Sequence, residues 1–217
     1  VYKYLKSLYG SNADFRDGQL EAIVSVLNKK RVLVVQKTGW GKSLVYFLAT
    51  RILRDMEKGP TIIISPLLSL INNQIESAEK LNLRAITINS TNKDDWKEIE
   101  RDILNNQYDI LFISPERLGN EEFLNSVLYN IKDSIGMLVV DEAHCISDWG
   151  HDFRPDYKRI NRIIKLLPPN IPFLATTATA NDRVVNDIKD QLGENLIISR
   201  GPLTRESISI QTINLNS

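Results

Sequence analysis

Val139-Val140-Asp141-Glu142-Ala143-His144-Cys145-Ile146-Ser147-Asp148-Trp149-Gly150-His151-Asp152-Phe153-Arg154-Pro155-Asp156-Tyr157 is the stretch that decides the fold. It begins inside an apolar run, Met137–Val140, that stops abruptly on two adjacent carboxylates. A strand buried on both faces delivers acids to the lip of a parallel sheet in this way. Neighbouring side chains diverge, so one acid can hold a metal ion while the other orients a water. Behind the acids comes a loop loaded with His144, Trp149, His151, Phe153 and Arg154. Trp149 and Phe153 fit neither a strand nor a helix period, and Gly150, Asp152 and Pro155 interleave them. Such rings suit single-stranded nucleic acid, because aromatic faces stack bases at about 1–3 kcal/mol each without regard to sequence. Arg154 would add phosphate or stacking contacts.

Working outward, the run Val32-Leu33-Val34-Val35 feeds Gln36-Lys37-Thr38-Gly39-Trp40-Gly41-Lys42-Ser43, then a helix carrying Leu44, Phe47, Leu48 and Ile52. Glycines at such a junction let backbone N–H groups wrap a phosphate, and the helix N-terminus adds partial positive charge. Lys42 can reach the β- and γ-phosphates, and the Ser43 hydroxyl can ligate Mg²⁺. The strict phosphate-loop pattern has glycine where this chain has Gln36. A nucleotide kinase would share such a loop without needing an acid pair followed by His144.

The rest of the chain alternates short apolar strands with amphipathic helices, the signature of a parallel α/β sheet with helices on both faces. The periodicity predicts further strands over 61–64, 84–88, 109–113, 173–176 and 196–199. It predicts helices over 2–9, 16–27, 94–104, 121–129, 157–167 and 182–192, and one carrying Leu67, Leu70, Ile71 and Ile75. The basic residues Lys158, Arg159, Arg162 and Lys165 lie largely off the apolar stripe of the 157–167 helix and read as solvated. Residues 1–200 read as one domain and 201–217 as an exit segment.

Composition bounds the partners. The 217 residues carry formal net charge zero, so nucleic-acid contact requires a local patch. A single cysteine, Cys145, excludes a disulfide framework or a cysteine-built zinc site within the chain. No apolar run approaches a membrane span, and nothing resembles a signal peptide. A cytoplasmic location, or a nuclear one in a eukaryote, is the expectation, with no membrane partner.

These motifs carry a resemblance. The chain resembles the first RecA-like lobe of a superfamily 2 helicase, specifically of the RecQ family. Asp141-Glu142-Ala143-His144 is similar to motif II, and residues 145–155 to that family's aromatic-rich loop. Phe15-Arg16-Asp17-Gly18-Gln19 resembles the motif upstream of the phosphate loop. Ser65-Pro66-Leu67-Leu68-Ser69-Leu70 resembles motif Ia, Ser114-Pro115-Glu116-Arg117-Leu118 motif Ib, and Thr177-Ala178-Thr179-Ala180 motif III. The matches occur in the family's order over residues 5–193.

The resemblance implies a RecA-like P-loop NTPase fold and an ATP-dependent DNA helicase acting on single-stranded DNA and duplex junctions. By it, Gln19 would read adenine and Arg16 would lie against the base or phosphates, with Thr38, Gly39 and Gly41 in the phosphate cradle. Ser43 and Asp141 would hold Mg²⁺, Lys42 would grip the phosphates, and Glu142 would be the general base. His144, Thr177 and Thr179 would couple the acids to motif III. Ser65, Ser69, Ser114 and Arg117, with Trp149, Phe153 and Arg154, would touch the bound strand. The chain departs from its relatives after Gly10, where four residues without an aromatic replace the usual three, so weaker adenine binding is expected. ATP would lie between this lobe and a second RecA-like lobe that brings an arginine finger. The 217 residues alone are therefore expected to be nearly inactive. Two alternatives stay open: an RNA-directed helicase of the same superfamily, and a non-catalytic nucleotide-dependent binding module.

Overall fold

Seven parallel strands form one sheet in the order β3-β4-β2-β5-β6-β1-β7 in the computed structural model. The structure describes residues 1–66, 68–88, 95–150, 152–193 and 195–202, with the side chains of 68–70 left aside. In chain order the strands are β1 (Arg31–Val35), β2 (Thr61–Ile64), β3 (Ala85–Thr87), β4 (Ile110–Ile113), β5 (Met137–Val140), β6 (Phe173–Thr177) and β7 (Leu196–Arg200). The helices are α1 (Tyr2–Tyr9), α2 (Gln19–Leu27), α3 (Lys42–Asp55), α4 (Leu68–Glu79), α5 (Trp96–Leu104), α6 (Glu121–Phe123), α7 (Tyr129–Ile131), α8 (Ile160–Leu166) and α9 (Asp182–Leu192). A π-helical turn, Leu124–Leu128, joins α6 to α7.

Strand alternation splits the interior into two cores, as the period of two requires. Leu33, Val35, Ile62, Ile64, Leu138 and Val140 face one side and pack under α5 to α9. Val32, Val34, Ile63, Met137 and Val139 face the other and pack under α1 to α4. Strand β5 is apolar throughout, and β1 and β2 are so after their first residue, because both of their faces are covered. The expected α/β architecture is thus what the chain adopts.

Two helix starts differ from the sequence reading by three residues. The 16–27 helix begins only at Gln19, because Gly18 sits in the left-handed region (φ 82) and leaves Arg16 and Asp17 in a turn. The 157–167 helix opens as a tight 3-10 turn, Pro155–Arg159, before α8. The basic face of this segment is ion-paired, Lys158 with Asp148, Arg159 with Asp156, and Arg162 with Glu121, which fits the solvated reading. His151 and residues 203–217, most of the expected exit segment, lie outside the described residues. No helix among the described residues is long and apolar enough to cross a membrane.

The sheet order positions the chemistry. Strand β6 lies between β5 and β1, so the ends of three strands bring the acid pair, the Thr176-Thr177 pair and the phosphate loop side by side. Ligands of open α/β sheets bind at this carboxyl edge.

Candidate ATP site and nucleic-acid loop

The phosphate loop leaves β1 and enters α3 through two left-handed glycines, Gly39 (φ 83) and Gly41 (φ 97). A side chain at Gly41 would also collide with the Gln19 amide, so only glycine fits there. Lys42 is the first residue of α3, and its Nζ donates to the Gln36 carbonyl at 3.0 Å. Gln36, the departure from the strict loop pattern, is buried and packs against Gly201 at the end of β7. Thr38 is exposed on the loop, and Ser43 is half-buried just inside the helix.

The upstream motif is tied directly to this loop. Gln19 is buried; its Nε2 donates to the Trp40 carbonyl at 2.8 Å, and its Oε1 accepts the Arg16 N–H at 2.9 Å. The Arg16 guanidinium donates to the Gly39 carbonyl. Trp40, which the sequence left without a role, is buried and donates its indole N–H to the Asp17 carbonyl at 3.2 Å. A 440 Å³ cavity opens here, lined among others by Tyr9, Arg16, Gln19, Gly39, Gly41 and Ser43. Tyr9 is 66% exposed, an available aromatic face that stands before Gly10 rather than after it.

At the end of β5, Asp141 is 8% exposed. Its Oδ1 accepts the Thr176 hydroxyl at 2.5 Å and the Glu142 N–H at 3.1 Å, while Gln74 Nε2 lies 3.4 Å from Oδ2. Burial pushes the Asp141 carboxyl above the ordinary aspartate value and the Glu142 charge adds to this, against the hydrogen bonds of Thr176, Glu142 N–H and Gln74. An acid whose folded pKa is raised binds more protons folded than unfolded, so its contribution to stability falls as pH rises from the ordinary value to the raised one. Asp141→Asn should therefore raise the melting temperature of the ligand-free protein, by about 2–4 °C for each kcal/mol recovered at this size. The gain should shrink toward acid pH, where Asp141 is already neutral. Calorimetry of the two proteins at neutral and acid pH tests this; a lower melting temperature for the variant at neutral pH would refute it.

Glu142 holds a left-handed backbone (φ 50, ψ 47), unusual for a non-glycine residue and a form of strain that gathers at functional sites. This bend turns the chain from β5 into the 3-10 turn Ala143–Ile146 and separates the two carboxylates. Burial alone would raise the Glu142 carboxyl. The His144 hydrogen bond, the charges of His144 and Lys42, and the Ala178 N–H outweigh that and hold it below its ordinary value. His144 is buried, with Nδ1 3.2 Å from Glu142 Oε2 and 2.9 Å from the Thr177 hydroxyl. Thr177 directs its own proton to the Thr179 carbonyl at 3.0 Å. Both neighbours of Nδ1 are then acceptors, so Nδ1 carries the imidazole proton. Cys145 is buried beside His144, and burial, with Asp152, pushes its thiol up to about 12, so it is an inert small residue.

A second cavity, of 250 Å³, is lined by Thr38, Pro66, Glu142, His144, Asp152 and Thr179 among others. The phosphate loop thus has one cavity toward Gln19 and another toward Glu142. Among the described residues no group of three or more His, Cys, Asp or Glu could cage a metal. Mg²⁺ asks for less, one or two carboxylates plus phosphates and waters. The residues fit such an ion: Oδ2 of Asp141 has only its long contact to Gln74 and stays open to a ligand.

The rings of the aromatic loop stay out of both cores, while Cys145 and Ile146 at its start are buried in one of them. Trp149 is 60% exposed, and the Arg183 guanidinium of α9 lies 3.3 Å from its ring centroid. Phe153 is half-buried beneath Lys158 Nζ, 5.1 Å away. Arg154 pairs with Asp152 at 3.2 Å, donates to the Pro66 carbonyl at 3.0 Å, and through its backbone N–H bonds the Cys145 carbonyl. Ser147 anchors the loop to α9, donating to Asp187 at 2.5 Å. A side chain at Gly150 would collide with the His144 carbonyl, so the loop turns tightly over the acid motif.

Other residues expected at the bound strand are placed less openly. Ser65 is buried at the end of β2, and Ser114 is half-buried at the end of β4. The Arg117 guanidinium lies 3.8 Å from the Trp96 ring centroid and 5.1 Å from that of Phe123. Two aromatic faces hold it because a weakly hydrated guanidinium gains from π contact. The Ser69 side chain lies outside the described residues. The sequence reading missed Thr176, Gln74 and Arg183, and also Tyr157, whose buried hydroxyl donates to the Asp141 carbonyl at 2.9 Å.

The DEAD/DEAH box helicase family model matches residues 16–188. The chain is 37% identical over 200 residues to the Schizosaccharomyces pombe ATP-dependent DNA helicase hus2/rqh1, covering 89% of this chain and 15% of that protein. It is 35% identical over 206 residues to the ATP-dependent DNA helicase RecQ of Haemophilus influenzae, covering 94% of this chain and 32% of that one. The chain thus spans a third or less of these relatives. The fold is shared with Mycobacterium smegmatis helicase Lhr, solved bound to ssDNA and AMP-PNP, with TM-score 0.72 and 19% identity over 92% of this chain and 27% of that one. The Hef helicase domain of Pyrococcus furiosus matches with TM-score 0.65 and 18% identity over 85% of this chain and 38% of that one. The chain belongs to the DEAD/DEAH box helicase family, is similar to the Haemophilus influenzae RecQ helicase over about a third of that protein's length, and has the fold of a RecA-like lobe.

Proposed function

We propose that residues 1–200 bind and hydrolyse ATP with Mg²⁺ and couple that reaction to movement along single-stranded DNA, working against a second RecA-like lobe reached through residues 201–217. Lys42 and the loop amides hold the phosphates, Ser43 and Asp141 hold the ion, and Glu142 takes the proton of the attacking water. Mg²⁺, when bound, neutralises charge that develops on the phosphate oxygens. Gln19 and Arg16 frame the adenine cavity, and Tyr9 offers the ring that the segment after Gly10 lacks.

The observation that carries this reading is a continuous set of contacts from fuel site to polymer site. Glu142 meets His144, His144 meets Thr177, and the Cys145 carbonyl receives the Arg154 N–H within the loop that exposes Trp149. A nucleotide-driven shift at the acid pair therefore has a short path to the aromatic loop. Trp149→Ala in the full-length protein should weaken single-stranded DNA binding by about 1–3 kcal/mol. It should depress DNA-stimulated ATP turnover while sparing turnover without DNA. Fluorescence anisotropy with labelled oligonucleotides, beside ATPase assays with DNA and with RNA, makes the test. Unchanged DNA affinity in the folded variant would remove the loop from the strand-binding role, and stimulation by RNA alone would favour the RNA-directed alternative.

A further inference from the structure

We infer that Gln74 is a positioning residue of the metal site: its amide N–H₂ orients the Asp141 carboxylate and its Oε1 accepts a hydrogen bond from a water carried by Mg²⁺. The inference rests on the metal reading above and deepens it. Gln74 lies on α4, outside every motif that the sequence singled out, yet its Nε2 stands 3.4 Å from Asp141 Oδ2. The other oxygen, Oδ1, is already held by Thr176 and by the Glu142 N–H. Oδ2 is therefore the loosely held oxygen, and Gln74 is the side chain that addresses it.

The opposite end of the same amide gives the second observation. Gln74 Oε1 is buried and has no hydrogen-bond partner. Which end faces Asp141 is not arbitrary, because an ionised carboxylate only accepts and must meet the amide N–H₂. The oxygen is left over by necessity, and a buried amide oxygen without a donor is costly. A donor held where Asp141 points would satisfy it.

Mg²⁺ dehydrates reluctantly and keeps several waters when held by few carboxylates. Those waters turn their hydrogens away from the ion, so each presents donors to the protein. An amide can serve such an ion on two sides at once, donating to the ligating carboxylate and accepting from the ion's water. A carboxylate or an ammonium at this position could do only one of these. Partners of this outer kind typically change metal affinity by about 10–100-fold when removed.

The test uses the full-length protein, a non-hydrolysable ATP analogue, and Mn²⁺ in place of Mg²⁺ so that bound ion is read by electron paramagnetic resonance. Gln74→Met, which keeps the length of the side chain, and Gln74→Leu should each weaken Mn²⁺ binding to the analogue complex by about 10–100-fold. Affinity for the metal-free analogue should stay at the wild-type value, which a general loosening of the site would not allow. Asp141→Asn serves as the reference and should lose Mn²⁺ binding as well. If Asp141→Asn weakens Mn²⁺ while both folded Gln74 variants bind it as the wild type does, Gln74 has no part in the metal site and the inference falls alone. If none of the three weakens it, the metal reading falls and takes the inference with it.

Discussion

Glu142→Gln in the full-length protein should cut ATP turnover by about 10²–10⁴-fold, the usual worth of a positioned general base, and leave nucleotide affinity near the wild-type value. The geometry says why the two effects separate. Glu142 stands beyond the phosphate loop on a left-handed turn, with its carboxylate toward the 250 Å³ cavity rather than among the loop amides. Its ionised form is favoured by His144, by the Lys42 charge and by the Ala178 N–H, which together overcome the effect of burial. A carboxyl held below its ordinary value is ionised throughout the neutral range, so turnover should fall only on acidification through that lowered value. The stability it lends follows the same sign: present above the ordinary glutamate value and lost as pH falls through the folded one. The amide cannot accept a proton. It also sets a second donor against the His144 Nδ1–H wherever its N–H₂ replaces Oε2, so His144 must change tautomer or the side chain must turn. Steady-state ATPase beside binding of a fluorescent nucleotide separates kcat from affinity. A variant that kept more than about a tenth of wild-type turnover would remove Glu142 from the general-base role.

Much of this site was legible because the sequence feature and the physical cause are both local. The runs at 61–64 and 137–140 are continuous apolar stretches ended by polar residues, and they became β2 and β5 over those same residues. The phosphate loop is local too, since glycines, lysine and helix start fall within one segment. What the sequence could not give depends on which strands are neighbours. Thr176 and Thr177 are adjacent in the chain, and alternation sends one hydroxyl to Asp141 and the other to His144. That division is visible only once β6 is known to lie between β5 and β1. The rings around Arg117 were hidden for a similar reason, because Trp96 comes from a separate helix, α5. Gln74 occupies an unremarkable polar position on α4 until the Asp141 carboxylate is seen opposite it. Gly18 was read as helix interior, since helical periodicity in its neighbours says nothing about the sign of one φ angle.

The 217-residue chain by itself should bind adenine nucleotide yet hydrolyse it about 10³–10⁵-fold more slowly than the two-lobe protein with DNA, the range an arginine finger is worth in other nucleotidases. The reason lies in how the cations of this lobe are used. Lys42 rests on the Gln36 carbonyl, and its charge reaches Glu142, so it can turn to a phosphate. The arginines bonded to the loops of the site are otherwise engaged: Arg16 with Gly39, Arg154 with Asp152 and Pro66, and Arg200 with Asp182 and Ala180. Moving any of them to a transferring phosphate would break contacts that tie this lobe together. Arg16 joins the Gln19 segment to the phosphate loop, Arg154 joins the aromatic loop to the end of β2, and Arg200 joins β7 to the start of α9. On the proposed two-lobe reading, a further guanidinium would come from outside these elements, from an opposing lobe that closes over both cavities of the loop. Single-turnover hydrolysis by the isolated chain, measured against the two-lobe protein with and without single-stranded DNA, decides the matter. If the isolated chain turned over within about tenfold of the DNA-stimulated two-lobe rate, the finger would have to be sought among the arginines of this lobe.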